Sequence, residues 1–208
     1  MEAQALAYVQ AYLEKYDRDT NVQEAPYRTR SAHCARVLMW VNRLLVQGGV
    51  EDPAALRLAA AFHDVGYAHA DEGHAAHSER ILRDYAAEQG FAPALAERAA
   101  FLVAEHSRKA EWLPNPAAPM DLILLMEADL LDEEGALGLA RDCMNATAFG
   151  ATSYLDAYRR MLRFEPRRLE RHPMLTPLAQ KFWAEKQRLI RETLEALAFD
   201  LGEECPHD

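Results

Sequence analysis

Cysteine is scarce in this 208-residue chain: the three present, Cys34, Cys143 and Cys205, are far apart and odd in number. Neither a disulfide framework nor a CxxC zinc site can be built from them, and they read as free thiols. No apolar run approaches the roughly 18 residues of a membrane span. The N-terminal stretch MEAQALAYVQAYLEKY lacks the basic start and small-residue cleavage site of a secretory signal, so the expected location is the cytoplasm, with no membrane partner. Positive charge is also in deficit. With 23 Lys+Arg against 33 Asp+Glu the net charge is -10, which repels a phosphate backbone and excludes general nucleic-acid binding. A small anionic substrate therefore needs a local positive site. Strand-like alternation, internal repeats and low-complexity tracts are missing as well.

What is present is an ordinary globular composition, 50% hydrophobic and 27% charged, with apolar residues recurring at three-to-four spacing. The fold class this predicts is all-α. One helix is expected from Ser31 to Gln47, stopped by Gly48 and Gly49. Another starts with Asp52 as N-cap and Pro53 at its first position and stops near Gly66. Further helices are predicted from Ala75 to Glu88, from Pro93 to His106, from Asp121 to Asp132, from Gly135 to Cys143, and from Thr176 to Leu201. The proline-rich stretch WLPNPAAP reads as a connector. With no credible boundary, residues 1–208 are expected to form one helical bundle.

The chemistry centres on His63-Asp64-Val65-Gly66, where the apolar helix AALRLAAAF gives out. Neighbours in a regular helix point about 100° apart, so His63 and Asp64 can share an ion only if the last turn is distorted, as a nearby Gly permits. Imidazole and carboxylate suit Mn, Fe, Co, Ni or Zn, and further ligands must come from other helices. His33 and Asp129 would complete a His, His-Asp, Asp set, although Glu127 and Asp132 lie on the same predicted helix as Asp129. His69, His74 and His77 occupy a polar loop leading into a helix, which explains them as well as metal binding does. His106 is followed by Ser107, Arg108 and Lys109, either a phosphate-touching patch or a solvated helix end whose cations suit the dipole. Arg159, Arg160, Arg163, Arg167, Arg168 and Arg171 form a basic run that reads first as a solvated helical face.

The stretches HCARV at 33 to 37, AAFHDVG at 60 to 66, AEHSRKA at 104 to 110 and EADLLDEEGALGLAR at 127 to 141, with a weaker RLERHPMLT at 168 to 176, resemble the HD superfamily of metal-dependent phosphohydrolases. The likeness is to its small stand-alone bacterial members. It implies an HD-domain helical bundle, with a core at about 25–145 on which helices at about 150–201 pack. It further implies His33, His63, Asp64 and Asp129 as ligands of a divalent ion, manganese first, with Fe, Co, Ni, Mg or Zn as alternatives. Asp64 and His106 would be catalytic; Arg36, His106, Lys109 and Arg168 would bind substrate; and His74 or His77 would hold a second ion. The expected partner is a small phosphorylated substrate, a nucleotide in the first instance, with a nucleoside triphosphate losing pyrophosphate as the first guess. The segment departs from the family's usual Asp-Ala-Asp-Arg, reading Glu127-Ala128-Asp129-Leu130, which removes an Arg near the site. The buried stripe Leu122, Leu125, Met126 continues to Asp129 and leaves Glu127 off it, so one acid is expected to face the ion. Two rivals are a two-iron oxygenase, which needs both His74 and His106 as ligands, and a non-catalytic nucleotide-sensing module.

Overall fold

The computed structural model describes residues 1–20, 29–132, 134–171 and 174–204, with the backbone alone over 164–171. Among these residues all regular structure is helical, as the periodicity predicts. Contacts divide the chain into two compact units, Met1–Asp132 and Glu133–Asp208.

The first unit is built around α3 (Pro53–Phe62). Its sequence PAALRLAAAF is apolar on nearly every side, and a helix of that kind is stable only when surrounded. Accordingly α1 (Glu2–Lys15), α2 (Arg30–Leu44), α4 (His74–Glu88), α5 (Pro93–Glu105) and α7 (Met120–Asp132) all pack on it. The alanines let these neighbours approach closely, and Leu56, Leu58 and Phe62 fill the gaps. The helix begins as its sequence predicts. Asp52 Oδ1 accepts from the amides of Ala54 (3.1 Å) and Ala55 (3.0 Å), with Pro53 in the first turn.

Several boundaries shift, among them the helix expected to stop at Cys143, which runs on to Ala148. The predicted helix to Gln47 tightens into a 3₁₀ turn over Leu45–Gln47, and a one-turn α6 (Lys109–Trp112) precedes the proline connector. The end of α3 matters most. His63 keeps helical angles, whereas Asp64 (φ -108, ψ 3) leaves the helix into a 3₁₀ turn over Val65–Ala68. That break turns the two neighbouring side chains toward a common point. Gly66 does not supply it through a left-handed conformation, since its φ is not positive. It permits a close approach instead: a Cβ there would lie 2.0 Å from the His74 carbonyl oxygen and 2.6 Å from the Ser78 amide. The Gly66 N–H donates to Ser78 Oγ at 2.8 Å, clamping the turn to the start of α4.

The expectation that Glu127 falls off the buried face of α7 is corrected, because Glu127 is fully buried. α7 packs on α2, α3 and α5, so a helix reading LILLMEADLL has more than one inward side.

The second unit comprises α8 (Ala136–Ala148), α9 (Tyr154–Arg171) and α10 (Pro177–Leu201), around Leu139, Tyr158, Met161, Ile190, Leu194 and Ala198.

Candidate metal centre

Five helix ends of the first unit meet around Asp64: the starts of α2 and α4, and the ends of α3, α5 and α7. His33, His63 and Asp64 present ligand atoms within 4.8 Å of one another, and so do Asp64, His74 and His106. Asp64 is shared. Its Oδ1 lies 3.6 Å from His63 Nε2 and 3.5 Å from both His74 Nε2 and His106 Nε2; its Oδ2 lies 3.6 Å from His33 Nε2. Asp129 Oδ1 adjoins the first group, 3.2 Å from His33 Nε2 and 3.9 Å from His63 Nε2.

The histidines are oriented from behind. His63 Nδ1 is 2.9 Å from the Ala60 carbonyl, His106 Nδ1 is 2.7 Å from that of Val103, and His74 Nδ1 is 3.2 Å from that of Asp71. A carbonyl can only accept, so each of these rings carries its proton on Nδ1, and in the neutral tautomer Nε2 faces inward as a bare lone pair. His33 Nδ1 is held in the same way, 2.8 Å from Asp132 Oδ2. Such outer hydrogen bonds fix the tautomer and direction of metal-ligating imidazoles. The inward nitrogens approach in pairs, His33 with His63 at 3.1 Å and His74 with His106 at 3.4 Å. His33 carries a proton on Nε2 as well, directed at Asp129 Oδ1 and His63 Nε2, and a cation bound there would take that proton's place. The donor set, imidazole nitrogen with carboxylate oxygen, fits a divalent transition ion.

The electrostatics agree. Burial pushes the His63 ring down to about 4, so it is neutral at physiological pH. His33 is pushed up to about 10: burial opposes its charge, but hydrogen bonds with Asp129 and Asp132 prevail. Burial likewise opposes ionisation of Asp64 and Asp129 and is overcome in both cases. The His63, His106 and His33 rings hold Asp64 below the usual carboxylate range, and Lys109 with His33 holds Asp129 there.

A prediction follows for ion uptake. His33 is protonated up to about pH 10, so an ion that ligates its Nε2 must displace one proton. Apparent affinity for a divalent ion should therefore rise about tenfold per pH unit between pH 7 and 9. Calorimetric titration in two buffers of different ionisation enthalpy reads the proton directly; zero protons released would remove His33 from the ligand set.

Several side chains take places the sequence did not assign. Asp132, three residues and one turn from Asp129 on α7, sits behind His33 on its Nδ1 side, so of these two acids Asp129 is the one that reaches the inward nitrogens. Arg36 spends its fork on Asp132, Nε to Oδ1 at 2.8 Å and Nη2 to Oδ2 at 2.9 Å. Lys109 Nζ donates to Asp129 Oδ2 at 2.7 Å. His74 joins the centre, whereas the His77 ring lies against His69 and its Nδ1 faces Arg80. The side chain of Arg168 lies outside the described residues. Arg30, whose Nη1 donates to Asp64 Oδ2 at 2.9 Å, was missed. Its position one turn before His33 on α2 was the available signal.

Residues 30–134 match the HD domain family. Among solved structures, the chain is similar to Bacillus subtilis YpgQ in complex with ADP, at 18% identity and a TM-score of 0.65, over 97% of this chain and 98% of that one. An HD-superfamily hydrolase from Bacillus thuringiensis matches at 18% identity and a TM-score of 0.70, over 98% and 97% of the two chains. The Lin1889 protein of Listeria innocua matches at 16% and 0.64, over 97% and 98%. At these identities the likeness is one of fold. No curated protein matches the chain.

Proposed function

The chain belongs to the HD-domain family of metal-dependent phosphohydrolases, and from that premise we propose that it hydrolyses a phosphoester or phosphoanhydride bond of a nucleotide at a centre of two divalent ions sharing Asp64. The observation that carries this reading is the convergence of four inward Nε2 atoms on the two oxygens of one carboxylate. One ion would be held by His33, His63, Asp64 and Asp129, the other by Asp64, His74 and His106. We propose manganese as the ion. A divalent ion in such a place supplies Lewis acidity, polarising a phosphoryl oxygen and acidifying water.

The protein's own groups have the remaining tasks. Asp64 is ionised and lies between the clusters, so it can accept a hydrogen bond from a water and orient it. His106 lies against Asp64 Oδ1 and His33 against Oδ2, and His106 serves the centre as a ligand in this reading. Lys109 and Arg36 act through the carboxylates they neutralise, keeping Asp129 and Asp132 ionised and in register with His33. Support for a nucleotide comes from the ADP held by YpgQ.

The decisive experiment is metal analysis of the purified protein, then product identification against a nucleotide panel with Mn, Co, Ni and Mg. We expect turnover with release of phosphate or pyrophosphate. Tight nucleotide binding without turnover under any metal would indicate a sensing module. The second cluster also gives specific weight to one rival: His74 and His106 both reach Asp64, as two-iron oxygen chemistry requires. Two tightly bound irons with an O₂-reactive spectrum would establish that reading in place of hydrolysis.

Counting ions separates one-ion from two-ion chemistry. His74→Ala and His106→Ala should each reduce bound Mn from two equivalents to one while the helical signal persists. Retention of both equivalents by either variant would leave that histidine a substrate contact.

A further inference from the structure

Arg30 sits in a three-layer stack. Its guanidinium carbon lies 3.5 Å from the centroid of the Tyr67 ring, and the other face of that ring stacks on His74 at 4.1 Å and 14°. Nη1 is hooked to Asp64 Oδ2. The side chain is 14% exposed, and Nε is buried with no hydrogen-bond partner among the described residues. A buried donor left unpaired is unfavourable by the full desolvation of that group, so its retention beside a reactive centre calls for an acceptor that arrives later.

The other cations of the centre differ. Arg36 is engaged by both oxygens of Asp132, and Lys109 by Asp129. Arg30 shares a single carboxylate with the histidines. Its Nε–H also belongs to the side-on edge of the guanidinium, shared with Nη2, which grips two oxygens of a phosphate or carboxylate in parallel. Held flat by Tyr67 and fixed in direction by Asp64, that edge is pre-organised, so little rotamer freedom remains to be lost when an anion arrives.

Resting on the hydrolase reading above, we propose that Arg30 is the residue that binds the phosphoryl group of the substrate, receiving its oxygens on the Nε edge while Nη1 keeps Asp64 in place. This assigns to Arg30 the role that Arg36 and Lys109 would otherwise have. Tyr67 is the positioning residue that holds the guanidinium plane, and it couples that plane to His74.

The test uses inorganic phosphate as the probe, with the Mn-loaded protein in a titration calorimeter, so it does not depend on which substrate is turned over. Arg30→Lys keeps a charge but loses the planar fork, and the dissociation constant for phosphate should rise roughly tenfold. Arg30→Met keeps a stem on Tyr67 without any donor, and a rise of roughly a hundredfold is expected. Both should retain the wild-type number of bound Mn and the helical signal. Where a nucleotide is turned over, KM should rise by similar factors with kcat changed far less. Unchanged phosphate affinity in Arg30→Met overturns the proposal. So does loss of Mn in Arg30→Lys, which would make Arg30 a support for Asp64 alone. If the wild type binds phosphate through Arg30 yet hydrolyses no nucleotide, the hydrolase reading fails while this one stands.

Discussion

Asp64→Ala empties both ion clusters at once. Among the described residues this carboxylate is the one group within 4 Å of all four inward histidine nitrogens, with 3.6 Å to His33 and His63 and 3.5 Å to His74 and His106. Removing any single histidine leaves the other cluster intact, whereas removing Asp64 takes an anionic ligand from each. It also leaves the partly buried Arg30 charge without its carboxylate. We expect bound Mn to fall from two equivalents to nearly none and turnover to fall on the order of 10⁴-fold, the scale seen when one member of a concerted catalytic group is deleted. The helical signal should persist, because Asp64 lies outside the regular part of α3. Metal analysis after dialysis, circular dichroism and a nucleotide assay check the three statements separately. A variant that keeps one Mn equivalent would show that Asp64 serves one cluster.

Gly66→Ala should have the largest effect on stability, although it changes one methyl group. That methyl would lie 2.0 Å from the His74 carbonyl oxygen and 2.6 Å from the Ser78 amide, both backbone atoms of the first turn of α4. Backbone in a hydrogen-bonded turn cannot rotate aside as a side chain can, so the 3₁₀ turn and α4 must separate. The hydrogen bond from the Gly66 amide to buried Ser78 is lost with that movement. Overpacking of this kind costs about 3 kcal/mol, and the melting temperature should fall on the order of 10 °C. Because α4 carries His74, separation also moves its Nε2 away from His106 and Asp64, and the second ion equivalent should be lost at temperatures where the fold survives. A melting temperature within about 2 °C of wild type, with both ions retained, would show that the turn has room the packing does not reveal.

These two positions adjoin in sequence and differ in how far sequence reveals them. His63-Asp64 is conspicuous as a polar pair closing an apolar helix, and a glycine two residues later signals that the helix ends. Its reason is different from the one expected. A left-handed cap and a close backbone approach both select glycine, and local sequence does not distinguish them because the second depends on α4, a separate element.

What this sequence determined by itself was the all-helical class, the start of α3 at Asp52 and Pro53, and the order in which His33, His63-Asp64 and Asp129 occur along the chain. These follow from local rules: a 3.6-residue periodicity, a cap that accepts nearby amides, a residue type at a helix end. What only the tertiary structure decided was partnership. Nothing local separates His74 from His77, one turn apart on α4, yet one reaches Asp64 and the other turns to Arg80. Arg36 and Lys109 looked like free cations in an acidic chain, and the folded protein gives each a carboxylate from α7. Arg30, outside the helix expected from Ser31, gains its place from Asp64 and from the Tyr67 ring beneath it. Glu127 was expected off the buried stripe of its helix, and it is buried because α7 packs on three helices. Periodicity fixes the direction of a side chain relative to its own helix axis. Which group meets it depends on the crossing of helices far apart in the chain, and that is set by the packing of the whole core around α3.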